Sequence, residues 1–179
     1  MTARLAPTIL AIGLLAAALT ACDATPDPVE TPPVFASEEE AFAAAEETYR
    51  AYVDALNNVD LSDPATFEDV YAWTTGDANA EARESFTAMH ADGWIVEGAS
   101  EPTVVEPRTA PGGSLGDVEI AVCLDVSEVK LRNETGESMV DASRPDVQSM
   151  LLTLEPIEST QTGFAIARFD GREGDPECG

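Results

Sequence analysis

The chain of 179 residues carries 34 acidic side chains against nine lysines and arginines, a formal net charge of −25 at neutral pH. A protein this acidic repels nucleic-acid phosphates and offers no basic patch to bind them, so a nucleic-acid partner is excluded. Hydrophobic residues make up 44% of the chain, which is close to ordinary globular usage and argues against disorder of the whole chain. The length fits one domain.

The first 21 residues are predicted to be a secretory signal peptide. A single positive charge at Arg4 precedes an apolar run from Leu5 to Leu19, which is too short for a comfortable membrane span. Residues 19–22 have the sequence LTAC, which resembles the lipobox of bacterial lipoproteins. That resemblance implies that Cys22 receives a diacylglyceryl group and becomes the first residue after cleavage. We therefore expect a lipid anchor on Cys22 that holds the chain to the extracytoplasmic face of the cell membrane. A plain signal peptide with a chance cysteine is the alternative.

A proline-rich tether is predicted at residues 22–36, ahead of a single domain at residues 37–179. Four prolines lie among the fourteen residues from Asp23 to Ala36, together with scattered acids and threonines. Such a composition favours an extended, solvated segment between the lipid and the domain.

The cysteine count predicts a disulfide and no metal site. With Cys22 assigned to lipid, Cys123 and Cys178 remain in a compartment that favours oxidation, and two thiols allow a single intramolecular bridge. The bridge would fasten the C-terminus to the domain. His90 is the only histidine, so ligands for a metal or redox site are too few. The acidic stretches 60–63 and 170–175 approach a calcium loop without completing it. We expect neither a metal nor a cofactor.

The spacing of apolar residues predicts three helices at the start of the domain. A capping box at Ser37 begins the first, and apolar residues then recur at steps of three and four as far as Leu56. Asp63, which precedes a proline, begins a short second helix, and a third runs from Asp77 to Gly93.

From Trp94 onward the apolar residues alternate, which predicts strands. The predicted strands lie at residues 94–96, 102–108 and 118–126 and around residues 150–154 and 164–166. The alternation changes phase after the third of these, so a strand that continued would need a bulge or bend near Ser127. Arg144 is expected to form an ion pair with Asp125. Three helices followed by strands predict an α+β fold with N-terminal helices packed on a curved antiparallel sheet.

This order of elements, with a long bent strand in the middle, resembles the NTF2-like (cystatin-like α+β) fold, in which helices fill the concave side of a cone-shaped sheet. A closer resemblance rests on the sequences CLDVSEV at residues 123–129, GES at 136–138 and RPD at 144–146, together with Cys178. These motifs resemble a family of small secreted or lipid-anchored actinobacterial proteins with no assigned activity. The resemblance implies a fold and carries over no catalytic residue.

NTF2-like domains often hold a pocket between helices and sheet, and some of them are enzymes. Related isomerases and cyclases pair a buried carboxylate with a donor, often tyrosine, to move a proton beside a carbonyl. The candidates here are Tyr49, Tyr52, Asp69, Trp73, His90 and Trp94, and none is distinguished by its spacing. We expect Tyr49, Trp73 and Trp94 to be core or pocket-wall residues and not catalysts. We expect His90 to have a structural role, since the dipole at a helix C-terminus favours a protonated imidazole.

Two functions remain open from the sequence. The first is a cell-envelope lipoprotein whose domain is a binding or interaction module for an envelope protein or a small apolar ligand. The alternative is an NTF2-like isomerase or cyclase that acts on a small apolar substrate in the cone. An enzyme would need a deep apolar pocket holding a carboxylate of raised pKa, whereas a module would show a filled cone and an exposed apolar rim.

Overall fold

Three helices come first along the chain and six strands follow, in a computed structural model that describes residues 35–108 and 116–178. The helical elements are α1 (Glu38–Asn57), a 3-10 turn (Pro64–Thr66), α2 (Phe67–Tyr71) and α3 (Gly76–Ala91). The strands are β1 (Ile95–Glu97), β2 (Glu101–Arg108), β3 (Val118–Asp125), β4 (Lys130–Arg132), β5 (Val147–Pro156) and β6 (Phe164–Gly171). The predicted signal peptide, Cys22 and most of the predicted tether lie outside the described residues. Within those residues, every helix is too short or too polar to cross a bilayer.

Four strands form one antiparallel sheet in the order β2-β3-β5-β6. The register shifts between Pro102 and Val104 on β2, and between Thr153 and Leu154 on β5. Irregularities of this kind bend the strands and increase their twist. The predicted α+β class, with N-terminal helices packed on an antiparallel sheet, is confirmed.

The main core lies between α1 and one face of this sheet. The Ser37 hydroxyl accepts a hydrogen bond from the Glu40 amide at 3.1 Å, so the predicted cap is formed. Every second residue of β3 then faces α1, in the alternation that the sequence predicts. The largest fully buried apolar side chains of this core are Tyr49, Val53, Ile120, Val122, Leu152, Leu154, Phe164 and Ile166.

Strand β3 is also buried on its second face. Ala121 and Cys123, which alternate with the core residues, are no more than 1% exposed. Cys123 is at disulfide distance from Cys178, with their Cα atoms 5.4 Å apart. The C-terminal segment is therefore fastened to the face of the sheet opposite α1, where Arg108 also donates to the Asp175 carbonyl.

The apolar alternation changes phase after β3 because the chain leaves the four-stranded sheet and enters a different one. A continuing strand with a bulge is not found in this described part of the chain. β3 ends at Asp125, a turn follows in which the Val129 amide donates to the Val126 carbonyl at 3.0 Å, and β4 then pairs with β1 in a separate two-stranded ribbon. The predicted Arg144–Asp125 ion pair is absent from the described residues. The Arg144 guanidinium instead donates to the carbonyls of Val126 and Val129, at 2.8 and 3.1 Å, and so braces the turn.

Candidate functional site

The three aromatic residues predicted as pocket walls lie in three different places. Tyr49 is fully buried in the main core. Trp94 packs against a second apolar cluster, built around the buried residues Leu61, Phe67, Val70, Tyr71 and Phe86. Trp73 is half-buried and lines a surface cleft. The structure therefore does not bring these three residues together in one pocket.

Buried apolar side chains of α1 and the sheet pack against one another in the main core. Besides tyrosines, the buried polar residues in the described part of the chain are Thr48, Thr74 and Ser100, and none of them is a carboxylate. The Thr48 hydroxyl is paired: it donates to the Ala44 carbonyl at 2.8 Å and shares a hydrogen bond of 2.6 Å with the Thr162 hydroxyl. Proton abstraction in an apolar site would therefore lack a buried carboxylate base among these residues.

Tyr49 is the one unusual polar group of the main core. Its hydroxyl is buried and has no hydrogen-bond partner among the described residues. Burial raises the pKa of Tyr49 well above its ordinary value, and burial also raises the pKa of the neighbouring Tyr52 to about 12. Both phenols are therefore neutral at physiological pH.

An apolar cavity of about 290 Å³ lies where the β1–β4 ribbon passes over α3 and the end of α1. We call it the ribbon cavity. Its apolar walls are Leu56, Val59, Leu61, Phe86, Met89, Val96, Val129 and Leu131. Val96 and Leu131 are direct cross-strand partners and point inward, whereas Ile95 is 54% exposed because successive strand residues face opposite sides.

The amide and carboxylate side chains that line the ribbon cavity are paired. The Asn57 side chain donates to the Ser100 carbonyl at 2.9 Å and accepts from the Ser100 amide at 2.8 Å, which ties the end of α1 to the start of β2. The Glu97 carboxylate lies at the surface, 3.7 Å from the Arg132 guanidinium. The cavity therefore offers shape and apolar surface without an isolated charge.

Gly98 positions the ribbon and was not predicted from the sequence. Its φ of +86° lies in the region that favours glycine, and a Cβ atom there would collide with the Glu128 carbonyl oxygen. Only the position of this glycine directly after a short strand could have signalled such a close backbone approach.

His90 has a structural position near this site. Its Nδ1 lies 2.7 Å from the Leu61 carbonyl oxygen, and its ring packs edge-on against Phe67 with centroids 6.3 Å apart. The histidine thus links the end of α3 to the segment that precedes the 3-10 turn.

The many carboxylates do not assemble into a metal site in the described ranges, where no group of three or more potential ligands is found. The carboxylates of Asp60, Asp125 and Asp141 each accept a hydrogen bond from the serine two residues later. Hydrogen bonds from the side chain and backbone of Ser62, Ser127 and Ser143 lower the pKa values of these three carboxyl groups. The lowered pKa values of these carboxyl groups therefore reflect local turns.

A second cleft, of about 430 Å³, lies between the last turns of α1, the end of α2 and the loop that joins β5 to β6. We call it the Trp73 cleft. It is lined by Asp54, Ala55, Asn58, Asp69, Ala72, Trp73, Ser159, Thr160 and Gln161. Its lining is far more polar than that of the ribbon cavity.

No protein-family model and no curated protein matches this chain. Among solved structures, the VirB8 protein of Agrobacterium tumefaciens aligns at 11% identity and a TM-score of 0.42, over 79% of this chain and 97% of VirB8. A periplasmic fragment of TraM aligns at 14% identity and a TM-score of 0.38, over 78% of this chain and all of the fragment. A de novo designed β-sheet protein aligns at 18% identity and a TM-score of 0.34, over 78% and 94% of the two chains.

Proposed function

We propose that this chain is an extracytoplasmic lipoprotein, anchored by lipid on Cys22, whose NTF2-like domain binds a neutral, mostly apolar small molecule in the ribbon cavity. The observation that carries the proposal is an apolar cavity, separate from the main core, whose lining amide and carboxylate side chains are already paired. A site of this kind supports binding better than catalysis.

The size of the cavity limits the ligand. A volume of about 290 Å³ lies at the lower end of the range of small-molecule sites, which start at roughly 300 Å³. Burial of apolar ligand surface stabilises a complex by about 25 cal/mol per Å², so a small apolar body is the main source of affinity here.

Charge limits the ligand further. An anion would be repelled by the net charge of −25 and by Glu97 at the rim, and a cation would find Glu97 already beside Arg132. Any charge carried into the interior would lose its hydration without gaining a partner. A neutral ligand avoids both costs.

The ribbon cavity is tested by filling it. Val96→Phe should place a larger side chain inside the cavity and raise the dissociation constant of N-phenylnaphthylamine, a neutral apolar fluorescent probe, by at least about 10-fold. Ile95→Phe changes the neighbouring residue on the outer face of the same strand and should leave probe affinity unchanged. Fluorescence titration of the full chain measures both. Equal affinities in the two variants would place the probe elsewhere.

The lipid anchor has its own test. Cys22→Ser removes the thiol to which acyl chains would attach, and a chain without them has no other described means of holding a bilayer. We expect the variant to move from the membrane fraction to the soluble fraction or the medium, while Cys178→Ser stays with the membrane. Retention of Cys22→Ser in the membrane fraction would refute the lipobox interpretation.

The isomerase or cyclase alternative has one observation in its favour, the unpartnered hydroxyl of Tyr49 in the main core. That hydroxyl could donate to a carbonyl, but the chemistry also needs a base. The described part of the chain places no buried carboxylate near it. Binding therefore remains the better supported function.

A further inference from the structure

The Trp73 cleft differs from the ribbon cavity in its chemistry, and we propose that it is a second binding site, for a neutral pyranose sugar. The cleft combines an aromatic wall with a ring of polar side chains at the surface. A sugar ring has the complementary character, because one face exposes C–H groups while hydroxyl groups surround its edge. This site does not depend on the function proposed for the ribbon cavity.

Trp73 provides an aromatic surface on a backbone that is held in place. Its amide donates to the Val70 carbonyl at 3.1 Å, and its carbonyl accepts from the Ile166 amide at 2.9 Å, so its backbone is joined to both α2 and β6. The side chain is half-buried and lines the cleft. An indole on such a backbone can stack against the C–H face of a sugar.

Hydrogen-bonding groups surround this indole and are free to act. The side chains of Asp54, Asp69, Ser159 and Gln161 make no hydrogen bond to any residue that the structure describes. The Asn58 side-chain amide donates to the Asp54 carbonyl at 2.7 Å, and its side-chain oxygen is left to accept a hydrogen bond from a ligand. Carboxylates accept strong hydrogen bonds from hydroxyl groups, and the glutamine amide and serine hydroxyl can donate as well as accept.

This mixture favours a neutral sugar over charged ligands. Asp54 and Asp69 would repel uronic acids and other anionic sugars, as would the net charge of the chain. A small organic cation could lie over the indole, but it would use the carboxylates and leave Ser159 and Gln161 without a role. A ligand that carries several hydroxyl groups uses both the donors and the acceptors of the cleft.

The test uses the full chain in detergent, with cellotriose and chitotriose as neutral probes, trigalacturonate as the anionic probe and tetramethylammonium as the cationic probe. The chain has two tryptophans, so Trp94→Phe leaves Trp73 as the only tryptophan reporter. We expect a saturable change in Trp73 fluorescence with at least one neutral trisaccharide, and at least about 10-fold weaker binding of trigalacturonate.

Variants test whether the trisaccharide binds in the Trp73 cleft. In calorimetric titration, Trp73→Ala and Asp54→Asn should each weaken trisaccharide binding by at least about 5-fold, since the first removes the stacking surface and the second replaces a charged acceptor with a neutral amide. Glu47→Gln neutralises an exposed carboxylate of α1 outside the cleft and should have no effect. Gln161→Ala, on the exposed loop, tests the same cleft without touching a helix or strand, and should weaken binding by at least about 3-fold.

Three results would overturn the proposal. They are the absence of saturable binding by both neutral trisaccharides, saturable binding of tetramethylammonium alone, and trisaccharide affinity that is unchanged in Trp73→Ala and Gln161→Ala. None of these bears on the ribbon cavity, because N-phenylnaphthylamine binding is measured separately and should be the same in Gln161→Ala as in the unaltered chain.

Discussion

Replacing Cys178 with serine should lower the free energy of unfolding by about 4 kcal/mol, because it opens the bridge that closes a 55-residue loop. The bridge constrains the unfolded chain and also holds the C-terminal segment on the second face of the sheet. Around it, Arg172 donates to the Pro176 carbonyl at 2.7 Å and to the Cys178 sulfur at 3.4 Å. Loss of the bridge should therefore release this segment as well.

Cys178 is the better position for this test. It is half-buried, whereas Cys123 is 1% exposed, and a serine at Cys123 would add the cost of burying a hydroxyl group to the loss of the bridge. Urea unfolding without reductant measures the difference. Glu177→Ser, a change at the exposed neighbouring position, should leave stability within about 0.5 kcal/mol. If Cys178→Ser matches Glu177→Ser, the bridge does not form in the folded protein.

The second large effect is expected at Gly98. Gly98→Ala should lower the free energy of unfolding by about 3 kcal/mol, because alanine is strained at a φ of +86° and its Cβ would lie against the Glu128 carbonyl oxygen. This oxygen is a backbone atom, so it cannot rotate out of the way as a side chain can. The β1–β4 ribbon would have to shift, so the variant should also lose affinity for N-phenylnaphthylamine.

Gly136→Ala is the matched control. Gly136 has a similar φ of +82°, but a Cβ there meets nothing within 4 Å, so only the conformational cost of about 1 kcal/mol applies. Urea unfolding of both variants separates the close approach at Gly98 from the general cost of replacing a left-handed glycine. Equal losses of stability would contradict the tight contact between the ribbon and the turn at Glu128.

The parts of the fold that follow from local sequence were predicted well. The apolar spacing of α1 and its cap at Ser37 depend on residues within a few positions of one another, and both are formed. The alternation of β3 likewise identified the face that meets α1. Thr48, a polar residue that is fully buried on α1, escaped prediction because its partner Thr162 lies 114 residues away.

The candidate sites were harder to predict, because distant segments build them. β1 and β4 have three residues each, too few for periodicity to identify a pairing, and the phase change at Ser127 suggested a bulge where the chain in fact changes sheet. Trp73 was predicted as a pocket wall. Its neighbours Asp54 and Gln161 come from α1 and from the β5–β6 loop, and no local pattern joins them.

The location of a bound ligand tests the central claim most directly. Methyl NMR spectra of the full chain in detergent, recorded as N-phenylnaphthylamine is added, report each wall separately. We expect saturable shifts at the methyl groups of Val59, Val96 and Leu131 in the ribbon cavity, and unchanged signals from Val53 and Val122 in the main core. Shifts at Val53 and Val122 without shifts in the ribbon cavity, or no saturable shift at all, would contradict the account.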